Sequence, residues 1–504
     1  MGMLIPVVAA LAVNFAEDIG TIRPELHSSG FGPTICSQSA QDLADLKSMG
    51  FCRARTHDWS LINPNQRVCD YHHIFPLMSL DATKPEHYFF APTDYLLRRT
   101  REEAGLGVLF RLGTSIEHSG PKVHFNSTIP DDFEKVAEIF AGTVRHYNRG
   151  WANGHEWGIK YWEIWNEPDN MNCMWCLPDG DSGVGATAEE RAADLAARNE
   201  RRRELFVRFF VTCLKRLKGE FGDSIRVGGP ALCTWRDDDP ASRKQVANGP
   251  MGAWNNGSVR RTGDYFRKIL SACRDAGVAP DFISWHYYGC KIEHVLASVE
   301  KGRRICDEMG FPGCELILDE WHWRKCSWGQ LFSSDPAERR RMRMGPDAFN
   351  GINSACFTLA LIARLQTSRL DQSYFYGCRH TGDFGFKDES GEKFKVFHAL
   401  KLFGDIVRRY STICASSCEG AVTTFGVRDA AGRKALLVVD CGGSTRRITV
   451  EAKGVAAGAA ARCTILDDGH DLVPCDVEFS GGVLSLVKSD DNSAAFFVEF
   501  DDAE

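Results

Sequence analysis

The sequence predicts an α/β fold, a (β/α)8 TIM barrel followed by a smaller antiparallel β-sandwich. Two observations carry this. Between about residues 26 and 405, short β-branched or aromatic runs alternate with longer amphipathic segments, eight times in all. After residue 411 the pattern changes to closely spaced β-rich runs broken by Gly and Asp. A chain of 504 residues also exceeds the usual size of one domain.

A short strand at 25–29 opens the barrel. In 39–49, Ala40, Leu43, Ala44 and Leu46 recur at helical spacing, and Gly50 stops the helix. A strand at 51–57, a helix at 93–105 and a strand at 107–112 follow. Residues 131–147 start with Asp131 and Asp132, favourable at the positive end of a helix, and continue as an apolar stripe. The fourth strand is the run ending in Glu167, and a long charged helix at 189–220 leads to the fifth at 225–229. Helices at 262–276, 292–309, 348–366 and 393–410 alternate with strands at 281–288, 315–320 and 371–376. In the tail, 420–427, 434–440, 446–452, 482–487 and 494–500 read as strands, and 7–15 as a strand that joins them. The expected division is 1–16 with the sandwich, 17–410 as the barrel and 411–504 as the sandwich proper.

Composition narrows the partners. A net charge of −7 argues against nucleic acid, which calls for a basic face. No apolar run approaches the ~20 residues needed to cross a bilayer, so no membrane partner is expected. The run from Met3 to Val13 resembles a signal core but lacks a basic flank, and a leading strand explains it equally well. The 19 cysteines are scattered, many inside apolar runs, which reads as buried reduced thiols in a cytoplasmic protein, with secretion left open. Cys173 and Cys176 form a C-x-x-C without a second ligand pair, so no metal is expected. The charged helix after Glu189 and the run Arg339-Arg340-Arg341 read as solvated faces or as contacts in a homo-oligomer.

Two glutamates, Glu167 and Glu320, stand at the ends of the fourth and seventh strand-like runs. Barrel enzymes carry their reacting groups at the C-terminal ends of strands. Two carboxylates brought together there, one neutral and one ionised, suit glycosidic bond cleavage, and a separation of about 5–5.5 Å suits retention of configuration. Trp175, Trp321, Trp323 and Trp328 are candidate stacking platforms for sugar rings. Alternation from Glu320 turns Trp321 away and leaves Trp323 beyond the strand end as the better platform.

Trp165-Asn166-Glu167-Pro168-Asp169 and Asp319-Glu320-Trp321 resemble the acid/base and nucleophile motifs of clan A glycoside hydrolases. Within that clan the chain most resembles family 39, which holds β-xylosidases and α-L-iduronidases. The likeness extends to Arg53-Ala54-Arg55-Thr56-His57-Asp58, Arg226-Val227-Gly228-Gly229-Pro230, the run from Asp281 to Tyr288, Asp371 through Tyr376 with Phe384-Gly385-Phe386, and Leu26 through Pro33. The chain departs from the family at His322, where Asn is common.

The resemblance implies Glu167 as general acid/base and Glu320 as nucleophile. It implies Asn166 on the sugar 2-hydroxyl, His286 and Tyr288 lining the −1 subsite, and Arg55 and His57 in its floor. The expected activity is a retaining, exo-acting, β-xylosidase-like glycosidase acting on a carbohydrate without cofactor. An α-L-iduronidase-like or arabinosidase-like specificity is the alternative, and a transglycosylase or a non-catalytic carbohydrate-binding barrel are further ones. Of the two glutamates, Glu167 is expected to have the higher pKa.

Overall fold

A computed structural model describes residues 11–30, 32, 40–57, 59, 67–115, 127–170, 174–177, 183–233, 262–381, 384–388, 390–443, 446–456 and 458–501. Leu11–Thr21 forms β1. Eight parallel strands then close a barrel in chain order: β2 (Ser28–Ser29), β3 (Arg53–Thr56), β4 (Gly107–Leu112), β5 (Tyr161–Ile164), β6 (Arg226–Leu232), β7 (Phe282–Gly289), β8 (Glu315–Trp323) and β9 (Gln372–Phe375). The two ends meet through Ser28 opposite Tyr374. A parallel strand covered by helices is buried on both faces, and in β8 every residue after Glu315 is buried.

The helices that face the site's strands have readable ends. They are numbered α1 (Ala40–Ser48), α2 (Tyr71–Ile74), α3 (Ala91–Arg98), α4 (Phe133–Arg149) and α5 (Ala188–Phe221). Asp132 caps α4 by accepting from Lys135 N at 3.0 Å, and Gly150 at φ 67° ends it in the left-handed region. Thr187 and Glu190 form a reciprocal capping box at the start of α5. Further on come α6 (Thr262–Asp275), α7 (Ile292–Glu308), α8 (Trp328–Leu331), α9 (Pro336–Arg343), α10 (Ile352–Leu365) and α11 (Lys395–Arg409). Among the described residues no helix is long and apolar enough to cross a membrane.

Alternation along the strands stacks the barrel interior in layers. Leu109, Phe282, Ile317 and Tyr374 fill an apolar layer low in the barrel. Two residues further along β7 and β8 the interior turns polar, with Ser284 and Asp319 fully buried beside Glu163 of β5. That change from oil to charge marks the floor of the site.

Two short strands, β10 (Arg379–Thr381) and β11 (Gly385–Lys387), pair with each other. The tail holds β12 (Thr412–Ser416), β13 (Cys418–Glu419), β14 (Val422–Arg428), β15 (Lys434–Asp440), β16 (Arg447–Lys453), β17 (Ala460–Leu466), β18 (Asp471–Cys475), β19 (Glu478–Ser480), β20 (Val483–Val487) and β21 (Ala494–Asp501). They form one sheet with β1, in the order β18-β17-β21-β15-β14-β12-β1-β16-β20-β19. Strands distant in that order, β16 and β20 on one side and β15 and β21 on the other, send Val450, Leu484, Leu436 and Phe496 into one apolar cluster, so the sheet folds over itself as a sandwich. The sheet is antiparallel except where β1 runs parallel to β16. β1 continues to Thr21, beyond the break expected at residue 16. Residues 7–10 of the expected leading strand lie outside the described residues.

Candidate active site

Glu167 follows β5 by three residues, and the chain there is bent hard. Trp165 (φ 73°) and Glu167 (φ 47°) both adopt left-handed backbone, rare for residues with a Cβ and worth of order 1–3 kcal/mol each when forced. The bend is held from several sides. Trp165 N donates to Leu112 O at 2.6 Å, Glu167 N to Ala231 O at 2.9 Å, and Trp165 Nε1 to Met174 O at 2.7 Å. Gly113, at φ 146°, lets Trp165 pass, since a Cβ there would stand 3.0 Å from its Cα. Strain concentrated on one carboxylate and fixed by tertiary bonds is what a site that aims a side chain requires.

Glu320 differs from expectation in its setting. It does not end β8, which continues to Trp323. Against β7 the register runs Trp285 to Leu318 and then His286 to Glu320, passing over Asp319. This is a bulge, and it allows two consecutive carboxylates to reach the same interior. Strict alternation would have turned one of them outward.

Arg55, fully buried on β3, organises the floor. Its Nε donates to Glu163 Oε2 at 2.7 Å and Nη1 to Glu320 Oε2 at 3.2 Å, while Nη2 reaches Asn166 Oδ1 at 2.7 Å and Asp319 Oδ2 at 3.0 Å. One planar fork thus ties strands β3, β5 and β8 together. Ser284 Oγ donates to the other oxygen of Glu163 at 2.7 Å.

His286 stands between the acids. Its Nδ1 is 2.8 Å from Glu167 Oε1, and its Nε2 is 3.2 Å from Asp319 Oδ2 and 3.5 Å from Glu320 Oε2. Glu167 Oε2 accepts from Asn170 Nδ2 at 2.9 Å. The Tyr288 hydroxyl donates to Glu320 Oε1. His57 Nε2 lies 3.9 Å from Glu320 Oε2. One carboxyl oxygen of Glu167, one of Glu320 and a ring nitrogen of His286 all lie within 4.8 Å of one another.

Four carboxyls share this space with one guanidinium and two imidazoles, so their protons are contested. Burial works to lower the His286 pKa, but Glu320 and Asp319 outweigh it and hold the ring well above its usual value. Burial pushes Glu320 up to about 7, against the pull of His286 and Arg55 and with the push of Glu167's charge. Burial also acts to raise Glu167, yet the hydrogen bond and charge of His286 prevail and its pKa is lowered. The free site therefore reverses the expected order of the two glutamates. The reason is the imidazolium bound directly to Glu167, which pattern reading did not supply. Glu163 is likewise raised to about 7 by burial.

Arg55, His57, Asn166, Glu167, His286, Tyr288 and Glu320 are thus gathered around one buried cluster. Trp323 is not in it: it is 5 % exposed and packed in the barrel's apolar core, with little face left for a sugar. Trp175 and Trp321 are also fully buried. Of the four tryptophans singled out, Trp328 is the half-buried one. Its ring lies 4.9 Å from that of Tyr288, and the Arg324 guanidinium sits 4.4 Å above it. His322, where the family often has Asn, is a core residue stacked 3.8 Å from Phe349, its pKa lowered by burial to about 4. Asp319, Glu163 and Asn170 were missed. Glu163 had a signal: it lies on β5 four residues before Glu167, and alternation along that run puts the two on one side. Cys176 is buried, and Cys173 and Asp58 lie outside the described residues.

No family model and no curated protein matches the chain. Solved structures do. A glucosidase from Croceicoccus marinus is 17 % identical, with a TM-score of 0.65 over 98 % of this chain and 99 % of that one. A family 51 α-L-arabinofuranosidase from Bifidobacterium longum is 12 % identical, with a TM-score of 0.56 over 98 % and 99 %. A bifunctional glucanase-xylanase from a metagenome library is 12 % identical, with a TM-score of 0.59 over 97 % and 98 %. At such identities the likeness is one of fold, and it extends over barrel and sandwich alike.

Proposed function

We propose that the chain is a retaining glycoside hydrolase of clan A, within family 39, exo-acting and β-xylosidase-like. The observation that carries the retaining reading is the approach of Glu167 and Glu320 to within 4.8 Å, nearest oxygens compared, while the family and the xyloside specificity rest on the motif resemblance. Inverting enzymes hold their carboxyls about 6.5–9.5 Å apart to admit water, and retaining ones about 5–5.5 Å apart. The structural neighbours support the reading, since those described are a glucosidase, an arabinofuranosidase and a glucanase-xylanase on the same fold.

In this reading Glu320, ionised, attacks the anomeric carbon while Glu167 protonates the departing oxygen. The proton comes to Glu167 from His286 Nδ1, already within hydrogen-bond distance, which leaves a neutral imidazole. Water then attacks the glycosyl-enzyme, and Glu167 takes its proton and returns one to His286. Arg55 and Tyr288 hold the nucleophile in position and ionised. Because Asn166 Oδ1 already accepts from Arg55, its amide Nδ2 is the end that donates to the sugar 2-hydroxyl.

The test is a panel of nitrophenyl glycosides (xyloside, arabinoside, glucuronide, galactoside), with the anomer of the first product read by proton NMR. Fastest turnover of the β-xyloside with retention is expected. A first product of inverted configuration ends the retaining assignment, and preference for the glucuronide or arabinoside ends the xylosidase one. Glu320→Ala should lose nearly all turnover, and azide should restore release of nitrophenol as a glycosyl azide of inverted configuration.

A further inference from the structure

A second set of ligating side chains lies in the helical layer and shares no residue with the carboxylate cluster. Asp94 comes from α3, His146 from the last turn of α4, and His155 from the loop between α4 and β5. One ligand atom from each lies within 4.8 Å of the other two. His146 Nε2 is 3.0 Å from Asp94 Oδ1, and His155 Nε2 is 3.8 Å from the same oxygen. Around a tetrahedral ion with bonds of 2.0–2.1 Å, ligand atoms stand about 3.3 Å apart. The two spacings, 3.0 and 3.8 Å, bracket that value.

Hydrogen-bond accounting points the same way. His146 Nδ1 is 2.9 Å from the Trp151 carbonyl, which can only accept, so Nδ1 carries a hydrogen. Its Nε2, 3.0 Å from Asp94 Oδ1, shares a proton with that carboxylate, which also accepts from the Tyr147 hydroxyl at 2.9 Å, and a bound ion would take that proton's place. A carbonyl holding the far nitrogen of a ligating histidine is the usual outer support of a metal site. Among the described residues the buried His155 Nε2 has no hydrogen-bond partner, and it stands 3.8 Å from Asp94 Oδ1.

The frame is set before any ion arrives. His155 N donates to His146 O at 2.6 Å, and Gly150 N to His155 O at 3.0 Å. Phe90 stacks 3.6 Å from the His146 ring and Trp157 3.8 Å from that of His155. The side chains of Asp94 and His155 are each 19 % exposed, which leaves a side open to water.

We propose that Asp94, His146 and His155 form a binding site for a divalent transition metal ion, zinc by its two imidazoles and one carboxylate, with water as the fourth ligand. Bound there, the ion joins α3, α4 and the approach to β5.

The test uses full-length protein freed of metal by a chelator, then titrated with Co²⁺. One ion per chain is expected, with d–d absorption of nitrogen and oxygen ligation and without the intense thiolate charge-transfer band that the cysteines would give. Zn²⁺ should displace it and raise the melting temperature. His155→Ala changes a partly exposed loop residue and should melt like the wild type without metal, yet bind at least about tenfold more weakly. Asp94→Asn should weaken binding similarly. A thiolate-type spectrum, or binding unchanged in both variants, overturns the site.

Discussion

His286 Nδ1 stands 2.8 Å from Glu167 Oε1, and this contact sets the proton supply of the site. The ring is held well above its ordinary pKa by the acids around it. The working proton is then shared between imidazole and carboxyl. In the pH profile of kcat/KM, the basic limb reports loss of that proton. His286→Asn leaves Glu167 as the sole holder, so the basic limb should move to lower pH. The maximum should also fall, by about 10²-fold for a lost proton-transfer partner. An unchanged basic limb would remove His286 from the proton path.

Tyr288 governs the other limb. Glu320 must be ionised to attack, and its pKa near 7 puts the acid limb there, with activity rising as pH increases through that value. The Tyr288 hydroxyl favours the ionised form. Tyr288→Phe should therefore move the acid limb upward, by about one pH unit for a lost hydrogen bond to a charged group. A limb that stays in place, or moves down, would show that another group titrates there.

Glu167→Ala separates acid from nucleophile. Leaving groups that depart without a proton, such as dinitrophenolate, should lose little in the first step, whereas simple alkyl glycosides should lose about 10²–10⁴-fold. Azide should then give a glycosyl azide of retained configuration, since it attacks the covalent intermediate. Equal losses across leaving groups, measured as kcat/KM, would take Glu167 out of the acid role.

Much of this was legible in the sequence for a physical reason. Buried parallel strands must be apolar on both faces, so the strands that became β4, β7 and β8 stood out as runs against amphipathic helices. The segments β17, β18 and β19 did not. β17 carries Ala460, Ala461 and Arg462 in its first half, and β18 contains Pro474, so neither presents the alternation that marks a half-buried strand. The two glutamates were legible because Asn and Pro beside Glu167, and Trp beside Glu320, carry the family motifs. Asp319 was not, because alternation assigned it to the opposite side from Glu320, and a bulge leaves no mark in composition. Trp323 was misplaced for a different reason: β8 runs three residues further than its apolar run. The inverted order of the glutamate pKa values depends on which acid the imidazole touches, a matter of ångströms.

Arg55 offers the sharpest test of what the buried charges do for the fold. It is fully buried and pairs with Glu163, Asp319 and Glu320 at once. Replacing it by methionine keeps much of the packing but strands those carboxyls, and removing one partner of a buried charge network costs about 3–5 kcal/mol. The loss should depend on pH with a definite sign. Arg55 pulls down Glu163 and Glu320, both already raised to about 7 by burial, so without it they rise further. A carboxyl whose folded pKa exceeds its unfolded value of about 4.5 binds its proton more tightly when folded, and stability falls as pH climbs from 4.5 through the folded pKa. The Arg55→Met variant should thus be penalised more at pH 8 than at pH 5. Urea titrations of both proteins at the two pH values read this directly. A deficit that is equal at both, or larger at pH 5, would mean that Arg55 contributes through packing, with the acids below it already neutral.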